Sequence, residues 1–268
     1  GFAFRISSSN MLITADIMNG GGYIVPENRI PTRNDSFTDY SKVAFRIAFL
    51  DYFRELFVPY FKARQPDLTV LMERVNKTHN FSAILRNCDA VGVLKAHAVV
   101  PDRGIDLHHA TSAGTSQWVQ VQTHDNTADA VQTLREAGFG IVAAHVSENA
   151  VDYRDVDYTK PIAVMMGAEL YGISDEGLAA ADQHVVVPMR GFVRSLNVSV
   201  ATALLLFEAH RQRSEAGMYE KSRLPEEVFS ELLFEWAYPR EARIFRERGE
   251  DYPVLAEDGS WAGGTSSI

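Results

Sequence analysis

Asn80 and Arg86 are the first residues in this sequence whose types and spacing could do chemistry. They lie six residues apart in HNFSAILRNCDAVG (79–92), nearly two helical turns, so both side chains fall close to one helix face. A structural interpretation is simpler: Asn80 caps the helix and Arg86 forms a surface ion pair. Spacing alone favours that simpler interpretation.

Two further clusters follow strand-like runs. In MGAELYG (166–172) a strand ends in glycine, Glu169 follows, and Gly172 leads into a turn. Glycine permits close approach of the backbone to a ligand, although a plain strand–turn–helix corner would have the same composition. Ser195 and Asn197 then cap a long apolar helix that follows the run 185–187. A strand that leads into a loop at a helix N-terminus is where α/β proteins usually bind ligands.

Other common chemistries find no support in the sequence. No G-x-G-x-x-G follows a strand and no P-loop lysine motif is present, which argues against dinucleotide and nucleoside triphosphate sites. His108 and His109 are adjacent rather than four residues apart, so we expect no metal site. We expect His97 and His145 to be hydrogen-bonded core residues. Cys88, inside a helix without a histidine partner, is expected to be a buried thiol rather than a nucleophile.

The elements that must position these clusters alternate between strands and helices. Val, Ile and Met runs mark the strands, and Asn, Ser or Gly residues mark the helix ends. This alternation predicts an α/β fold with a mostly parallel sheet and helices on both faces. The predicted strands are 67–75, 96–100, 118–124, 139–146, 161–167 and 183–189, and the predicted helices are 80–91, 128–138, 174–182 and one beginning near Ser195.

The two ends of the chain have a different character. Residues 1–45 are rich in Gly, Ser and Asn without a sustained period, and we interpret them as an extension whose role the sequence does not place. Residues 46–65 are aromatic and helix-compatible, with a break at Pro59. Beyond the main domain at 66–217, residues 218–268 turn acidic and aromatic, which predicts a docking helix followed by a polar tail.

Length and composition limit the class of protein. The chain has 268 residues, 46% of them hydrophobic, which is enough for a sizeable core. No apolar run approaches the roughly 20 residues that span a bilayer, so we expect no membrane partner. The single cysteine fits a reducing compartment and no signal peptide is recognisable, so we expect a cytoplasmic protein. The formal net charge of −9 argues weakly against nucleic-acid binding, although arginines recur near the three clusters.

Together and in order, the three clusters resemble the SpoU branch of the SPOUT superfamily, the RNA 2'-O-ribose methyltransferases. The family motifs are an Asn-to-Arg segment opening a helix, a Gly-x-Glu-x-x-Gly corner, and a Pro-Met strand end followed by Ser-Leu-Asn-Val-Ser. All three occur here, within residues 66–217. The segments RQPDLTVLMERV, NAVDYRDVDYTKP and LFEAHRQRSEAGMY are most similar to the TrmH group, which methylates guanosine-18 in the tRNA D-loop.

The resemblance implies a fold and a cofactor. The α/β domain of the family ends in a deep trefoil knot, a topology that the usual connection rules would exclude. S-adenosylmethionine binds among the loops that the knot brings together, held by backbone groups and apolar side chains, and displacement at its methyl group needs no metal. Carried onto this sequence, the cofactor-binding residues are Ala144, His145, Gly167, Val187, Met189 and Leu196.

The resemblance also implies roles for the polar residues. Arg86 corresponds to the residue that the family uses at the ribose 2'-hydroxyl. Because a guanidinium stays protonated, binding the adjacent phosphate and orienting the hydroxyl suits it better than acting as a general base. The rest of the catalytic set consists of Asn80, Glu169, Ser195 and Asn197. Family members form homodimers with the sites at the subunit interface, and the residues expected to contact tRNA are Arg64, Arg211, Arg213 and, as a weaker candidate, Arg54.

Several functions stay open at this point. The leading hypothesis is an S-adenosylmethionine-dependent tRNA guanosine 2'-O-methyltransferase, and the alternative within the same chemistry is a ribosomal RNA ribose methyltransferase. From a different class, the chain could be a catalytically silent RNA-binding protein on the same fold, against which the intact motif residues argue. A nicotinamide-dependent dehydrogenase would need a phosphate-binding glycine loop that the sequence lacks.

Overall fold

The computed structural model describes residues 57–100, 118–256 and 259–261, together with the backbone of three short strands nearer the N-terminus. The chain divides into two compact units, one made of Lys62–Leu224 and the other of Gly1–Phe61 with Pro225–Ile268. The first unit contains the whole of the segment 66–217, and it carries the three motifs.

Three short strands form an antiparallel sheet near the start of the chain: β1 (Ala3–Ile6), β2 (Ile13–Ile17) and β3 (Gly21–Ile24). Strands of four or five residues are barely long enough to show alternation, which is why the composition of residues 1–45 predicted only an extension. Helix α1 (Val58–Lys62) is the described part of the helical segment predicted at 46–65. Pro59 lies in the first turn of α1, where its missing N–H removes no hydrogen bond. The part of the predicted segment before residue 57 lies outside the described residues, so the break at Pro59 stays a prediction.

The first unit is built on a seven-stranded sheet in which all neighbouring strands run parallel. Its spatial order is β6-β5-β4-β9-β7-β10-β8. In chain order the strands are β4 (Leu68–Glu73), β5 (Lys95–Val99), β6 (Gln120–His124), β7 (Gly140–Ala144), β8 (Val151–Asp152), β9 (Ile162–Gly167) and β10 (Gln183–Val186).

Helices cover both faces of this sheet. In chain order they are α2 (Thr78–Ala90), α3 (Thr127–Glu136), α4 (Asp175–Ala180) and α5 (Val198–Glu215). Side chains alternate along β4, so Val70 and Met72 join the core cluster that contains α2 and α5, whereas Leu71 joins a second cluster with α3 and α4. All six residues of β4 are buried, as expected for a parallel strand covered on both sides. The predicted α/β class with a mostly parallel sheet is confirmed.

Capping residues explain why most predicted helix ends agree closely with the structure. Asn126 caps α3 by accepting a hydrogen bond of 2.8 Å from the backbone N–H of Asp129, and Ser174 caps α4. The predicted cap at Asn80 is wrong. Helix α2 begins at Thr78 after Lys77, whose side chain makes no capping bond, and Asn80 lies inside the first turn.

The described C-terminal residues of the other unit form two helices with their own aromatic core. Helices α6 (Glu226–Ala237) and α7 (Pro239–Arg248) replace the single docking helix predicted within 218–268. Phe234 is fully buried, and four aromatic rings have their centroids 5.1 to 5.7 Å from its own. These rings belong to Tyr238, Phe245, Tyr252 and Trp261.

Candidate active site

The three motifs meet at the edge of the sheet where the central strands end. Strand β4 ends at Glu73 and leads into α2, β9 ends at Gly167, and β10 ends at Val186 ahead of the loop to α5. Because β4, β9, β7 and β10 are neighbours in that order and run parallel, their carboxyl ends lie side by side.

Residues 167–172 form a corner that is too tight for a side chain at its first position. A Cβ on Gly167 would lie 2.2 to 2.4 Å from backbone atoms of Gly172 and Ile173. Ala168 and Gly172 exchange both backbone hydrogen bonds, at 3.0 and 2.8 Å, and Gly172 has a φ of +69°. The corner itself therefore requires both glycines, and its second residue after Gly167, Glu169, faces the first motif.

Asn80 is the residue on which the three motifs converge. It is only 2% exposed, and its side-chain nitrogen donates a hydrogen bond to Oε1 of Glu169. Its side-chain oxygen accepts a hydrogen bond of 3.2 Å from Nδ2 of Asn197. The donor and acceptor halves of one amide thus each hold a different motif. An amide engaged in this way has no role as a helix cap.

Asn197 both caps α5 and reaches back to the first motif. Its Oδ1 accepts hydrogen bonds from the backbone N–H and the hydroxyl of Ser199, at 2.8 and 2.7 Å, while its Nδ2 donates to Asn80. Asn87 adds another link between α2 and α5 by donating to the backbone oxygen of Ser199 at 2.8 Å. Ser195 is exposed just before this cap, where its hydroxyl is accessible to a ligand.

Arg86 is exposed on α2, and within the part of the chain that the structure describes it forms neither an ion pair nor a hydrogen bond. The surface ion pair that spacing favoured is therefore not found among these residues. A guanidinium in this state can bind an anionic group through two parallel hydrogen bonds without first breaking an existing contact.

The residues expected to bind the cofactor lie in the loops after β7, β9 and β10. Ala144 ends β7, and the backbone N–H of His145 donates to the oxygen of Val185 at 3.1 Å, which holds the loop after β7 against β10. Three apolar side chains of the loop between β10 and α5 are half-buried. A half-buried apolar lining beside backbone polar groups fits an adenosyl ligand. The three apolar residues are Val187, Met189 and Leu196.

Arg213 is not on the surface, where a residue that contacts RNA must lie. Its side chain is fully buried in α5 and donates to Oδ1 of Asp67 at 2.6 Å and to Oε1 of Gln65 at 3.0 Å. It also donates to three backbone oxygens, those of Tyr158, Asp67 and Lys160. With its nitrogen atoms engaged, Arg213 ties α5 to the segments before β4 and β9, so we correct its predicted role from RNA contact to structural residue.

The other predicted RNA contacts have different placements. Arg64 is 6% exposed and pairs with Asp89 at 2.7 Å, so its predicted role is likewise corrected to a structural one. Arg211 is half-exposed and forms ion pairs of 2.7 Å with Glu208 and Glu215, and its contact with RNA stays a prediction. Arg54 lies outside the described residues.

The buried histidine and cysteine side chains have core roles. Nδ1 of His97 lies 2.9 Å from Nε2 of His124, and desolvation, reinforced by His124 and Lys95, lowers the pKa of His97 to about 4. Burial raises the pKa of the Cys88 thiol, so the reactive thiolate is disfavoured. The predictions for His97 and Cys88 are confirmed, whereas His145 is only half-buried beside the candidate cofactor loops.

Among the described residues, no three His, Cys, Asp or Glu side chains are grouped so that they could hold a metal ion. His108 and His109 lie outside the described residues. In the same described ranges, no helix combines the length and apolar character needed to cross a bilayer.

One polar residue at this edge, Glu73, was missed from the sequence. It is 1% exposed and accepts hydrogen bonds from Thr127 and Ser174. A charged residue at the end of a strand whose only other polar residue is Thr69 is the signal that could have found it.

Known proteins match this chain over both the motifs and the C-terminal helices. The profile of the SpoU rRNA Methylase family matches residues 67–207, and the profile described as SpoU, rRNA methylase, C-terminal matches residues 211–261. The tRNA (guanosine(18)-2'-O)-methyltransferase of Escherichia coli is 52% identical over 198 residues, which cover 73% of this chain and 86% of that protein. The protein of the same name from Thermus thermophilus is 53% identical over 175 residues, which cover 65% of this chain and 90% of its own.

Solved structures show the same likeness. The TrmH/SpoU tRNA modifying enzyme of A. aeolicus superposes with a TM-score of 0.64 at 40% identity, covering 73% of this chain and 98% of that chain. The SpoU methyltransferase AviRb from Streptomyces viridochromogenes, in complex with the cofactor AdoMet, gives a TM-score of 0.50 at 27% identity, covering 56% of this chain and 62% of that chain.

Proposed function

Because this chain belongs to the SpoU rRNA methylase family, we propose that it transfers a methyl group from S-adenosylmethionine to the ribose 2'-hydroxyl of guanosine-18 in the tRNA D-loop. The observation that carries the proposal is the hydrogen-bonded convergence of Asn80, Glu169 and Asn197. A catalytically silent relative would have no need to keep these three polar residues joined. The names of the curated relatives at 52% and 53% identity support the substrate.

We assign cofactor binding to the loops that follow β7, β9 and β10. S-adenosylmethionine would supply an electrophilic methyl group: in an in-line displacement the ribose oxygen would form the new O–C bond as the C–S bond breaks, S-adenosylhomocysteine would leave, and the hydroxyl proton would pass to solvent. Gly167 would bring backbone close to the ligand, and Leu196 would contact its adenosyl part. Since Leu196 directly precedes Asn197, the hydrogen bonds that fix the third motif also fix this contact. The structurally similar AviRb was solved in complex with AdoMet, which supports S-adenosylmethionine as the cofactor.

Arg86 would bind the phosphate next to the target ribose and orient its 2'-hydroxyl. A guanidinium carries N–H donors and no acceptor, and the exposure of Arg86 leaves it accessible to a phosphate. Holding the hydroxyl in line with the methyl carbon removes the entropy cost of alignment from the chemical step. Asn80 and Glu169 support this arrangement by fixing the helix that carries Arg86 against the corner.

A homodimer accounts for the exposed apolar face of α5. Val200, Leu204 and Phe207 are 47%, 36% and 50% exposed, and they follow one another by four and three residues along one side of the helix. A second copy of the chain would bury this face. Because Asn197 caps the same helix, that interface would lie beside the candidate site, as in the family.

We also propose that this chain forms the trefoil knot of the family. The knotted segment would be the one that runs from β10 through the loop 187–197 into α5. Arg213 supports it, because its hydrogen bonds fasten α5 to segments that precede β4 and β9.

The experiment that tests the function is transfer of labelled methyl from S-adenosylmethionine to an unmodified tRNA transcript, followed by nucleoside mapping. We expect 2'-O-methylguanosine in the D-loop, lost in Arg86→Ala and kept in Arg135→Ala. Arg135 is a matched control because its guanidinium pairs with Asp182 at the amino ends of the strands, far along the sheet from the motifs. Transfer to ribosomal RNA fragments alone would replace the tRNA proposal with the ribosomal one, and binding of RNA without transfer would indicate a silent relative.

A further inference from the structure

Glu73 is a buried carboxylate at the candidate site that has no assigned role. It ends β4 and is 1% exposed. Its oxygens accept hydrogen bonds from the backbone N–H of Ser174 at 2.7 Å, from the hydroxyl of Ser174 at 2.5 Å and from the hydroxyl of Thr127 at 2.5 Å. All three donors are neutral. Burying a carboxylate costs free energy unless such partners bind it, and an apolar residue would occupy the strand end at a lower cost. The contribution of Glu73 is therefore to hold its three donors in a fixed geometry.

Glu73 lies beside both ends of the corner 167–172. In the parallel register of β4 and β9, the backbone of Glu73 stands opposite Gly167, where the corner begins. Its side chain holds Ser174, two residues after Gly172, where the corner ends. Since Ser174 also caps α4 through Gly177, the clamp extends into that helix.

The surrounding backbone is shaped to admit this side chain. A Cβ built on Gly177 would lie 3.2 Å from Oε1 of Glu73 and 2.8 Å from Cγ2 of Ile173, so glycine leaves the space that the carboxylate fills. Directly after Glu73 the chain turns sharply, and Arg74 takes a φ of +55°, a conformation that non-glycine residues rarely adopt. Strain of this kind persists where the neighbouring structure holds it in place.

We infer that Glu73 is a positioning residue that holds the Gly-x-Glu-x-x-Gly corner in the shape that receives S-adenosylmethionine. The identity of the ligand rests on the proposed function, whereas the clamp rests on the geometry alone. Glu73 acts through Ser174 and Thr127, and its neighbours in sequence lead directly to Asn80. The loop after β9, one of the three candidate cofactor loops, is thereby held from the end of β4, the strand that leads into the helix of Arg86.

The test uses Glu73→Gln, which keeps the shape of the side chain but replaces one accepting oxygen with a donor. Backbone hydrogen exchange of residues 168–174 is measured in the ligand-free protein, and the Kd for S-adenosylhomocysteine is measured by calorimetry. We expect faster exchange in this segment and a Kd raised by roughly tenfold. The KM for S-adenosylmethionine should rise more than kcat falls, and tRNA affinity should stay unchanged. Thr127→Val removes one donor and should give a smaller effect in the same direction.

Asp182→Asn is the matched control, because Asp182 is also a carboxylate that accepts backbone and side-chain hydrogen bonds, from Ile141 and Arg135. It should lower Tm without changing exchange at 168–174 or the Kd. Unchanged exchange and unchanged Kd in Glu73→Gln would overturn the inference, as would equal changes in Asp182→Asn. A third outcome separates the two proposals. If the wild-type protein binds no S-adenosyl ligand but Glu73→Gln still speeds hydrogen exchange at 168–174, the clamp is supported and the proposed function is refuted.

Discussion

The side-chain amide of Asn80 donates a hydrogen bond to the carboxylate of Glu169, 89 residues further along the chain. Its other end accepts a bond from Asn197, 117 residues away from Asn80. One buried amide therefore joins three segments that are far apart in sequence. Any change that reverses one half of this amide should disturb the second and third motifs together.

Asn80→Asp reverses the donor half of that amide. It places a second carboxylate against Glu169, so the two must separate or one must take up a proton. We expect a loss of stability on the order of 2 kcal/mol in urea unfolding and at least about a tenfold fall in the methyl-transfer rate. The same exchange at Asn126, an exposed helix cap whose amide donates to the carboxylate of Asp129 at 2.8 Å, also places two carboxylates together, but in solvent. It should therefore change stability by less than about 0.5 kcal/mol and leave the rate unchanged. Equal behaviour of the two variants would show that the Asn80–Glu169 bond is unimportant.

The sequence was sufficient to predict the parallel sheet and the identity of the motif residues. Buried apolar runs such as LTVLME predict strands from local pattern alone, and the motif wording identifies Asn80, Glu169 and Asn197. The bonds between those residues could not be predicted, because periodicity is local and these partners lie in different elements. Glu73 was missed for the same reason, since its donors lie 54 and 101 residues away.

Glu73 was missed from the sequence, whereas Arg213 was assigned a role in RNA binding that its buried position contradicts. A basic residue near the end of a long helix is consistent with a nucleic-acid contact, and nothing local distinguishes it from Arg211. The distinction comes from tertiary structure, because the carboxylate of Asp67 and three backbone oxygens surround only one of the two guanidinium groups. Whether a charged side chain can be buried depends on hydrogen-bond partners in segments that are distant in sequence, which a local pattern does not reveal.

Substitution of the two arginines should therefore give opposite results. Arg213→Met leaves Asp67 with Arg223 alone and removes five hydrogen bonds, so we expect a loss of about 3 kcal/mol of unfolding free energy. Arg211→Met breaks an exposed ion pair with Glu215 and a two-bond pair with Glu208, whose side chain is 10% exposed and keeps a hydrogen bond from Gln212. We expect it to lower stability by no more than about 1 kcal/mol while weakening tRNA binding. Denaturation and filter-binding curves measure both effects. A destabilised Arg211→Met or a stable Arg213→Met would contradict these roles.

The buried pair His97 and His124 should make stability depend on pH. Burial lowers the pKa of both rings, that of His97 from 6.5 to about 4, so protons bind the unfolded chain more tightly than the folded protein. The contribution of the neutral pair to the free energy of unfolding is complete above about pH 6.5 and is lost as the pH falls toward 4. Tm should decline over this window, and His97→Gln should flatten the decline. A Tm that is constant between pH 6.5 and 4.5 in the wild type would refute the neutral buried pair.

Leu204→Glu tests the homodimer proposed on the face of α5. Leu204 is partly exposed and lies between Val200 and Phe207, so a carboxylate there would have to be buried in the interface. We expect a monomer in sedimentation velocity, with unchanged helix content and greatly reduced methyl transfer. Lys221→Glu, an exposed charge change outside this face, should leave the dimer intact. A Leu204→Glu protein that stays dimeric and active would place the interface elsewhere.

The most direct test of the proposed function compares two tRNAs that differ in one atom. One is an unmodified transcript, and the other carries 2'-deoxyribose at guanosine-18. With labelled S-adenosylmethionine, we predict incorporation into the first tRNA and none into the second, because the acceptor oxygen is missing. Equal incorporation into both tRNAs would show that the methyl group goes to another atom and would contradict ribose methylation of guanosine-18.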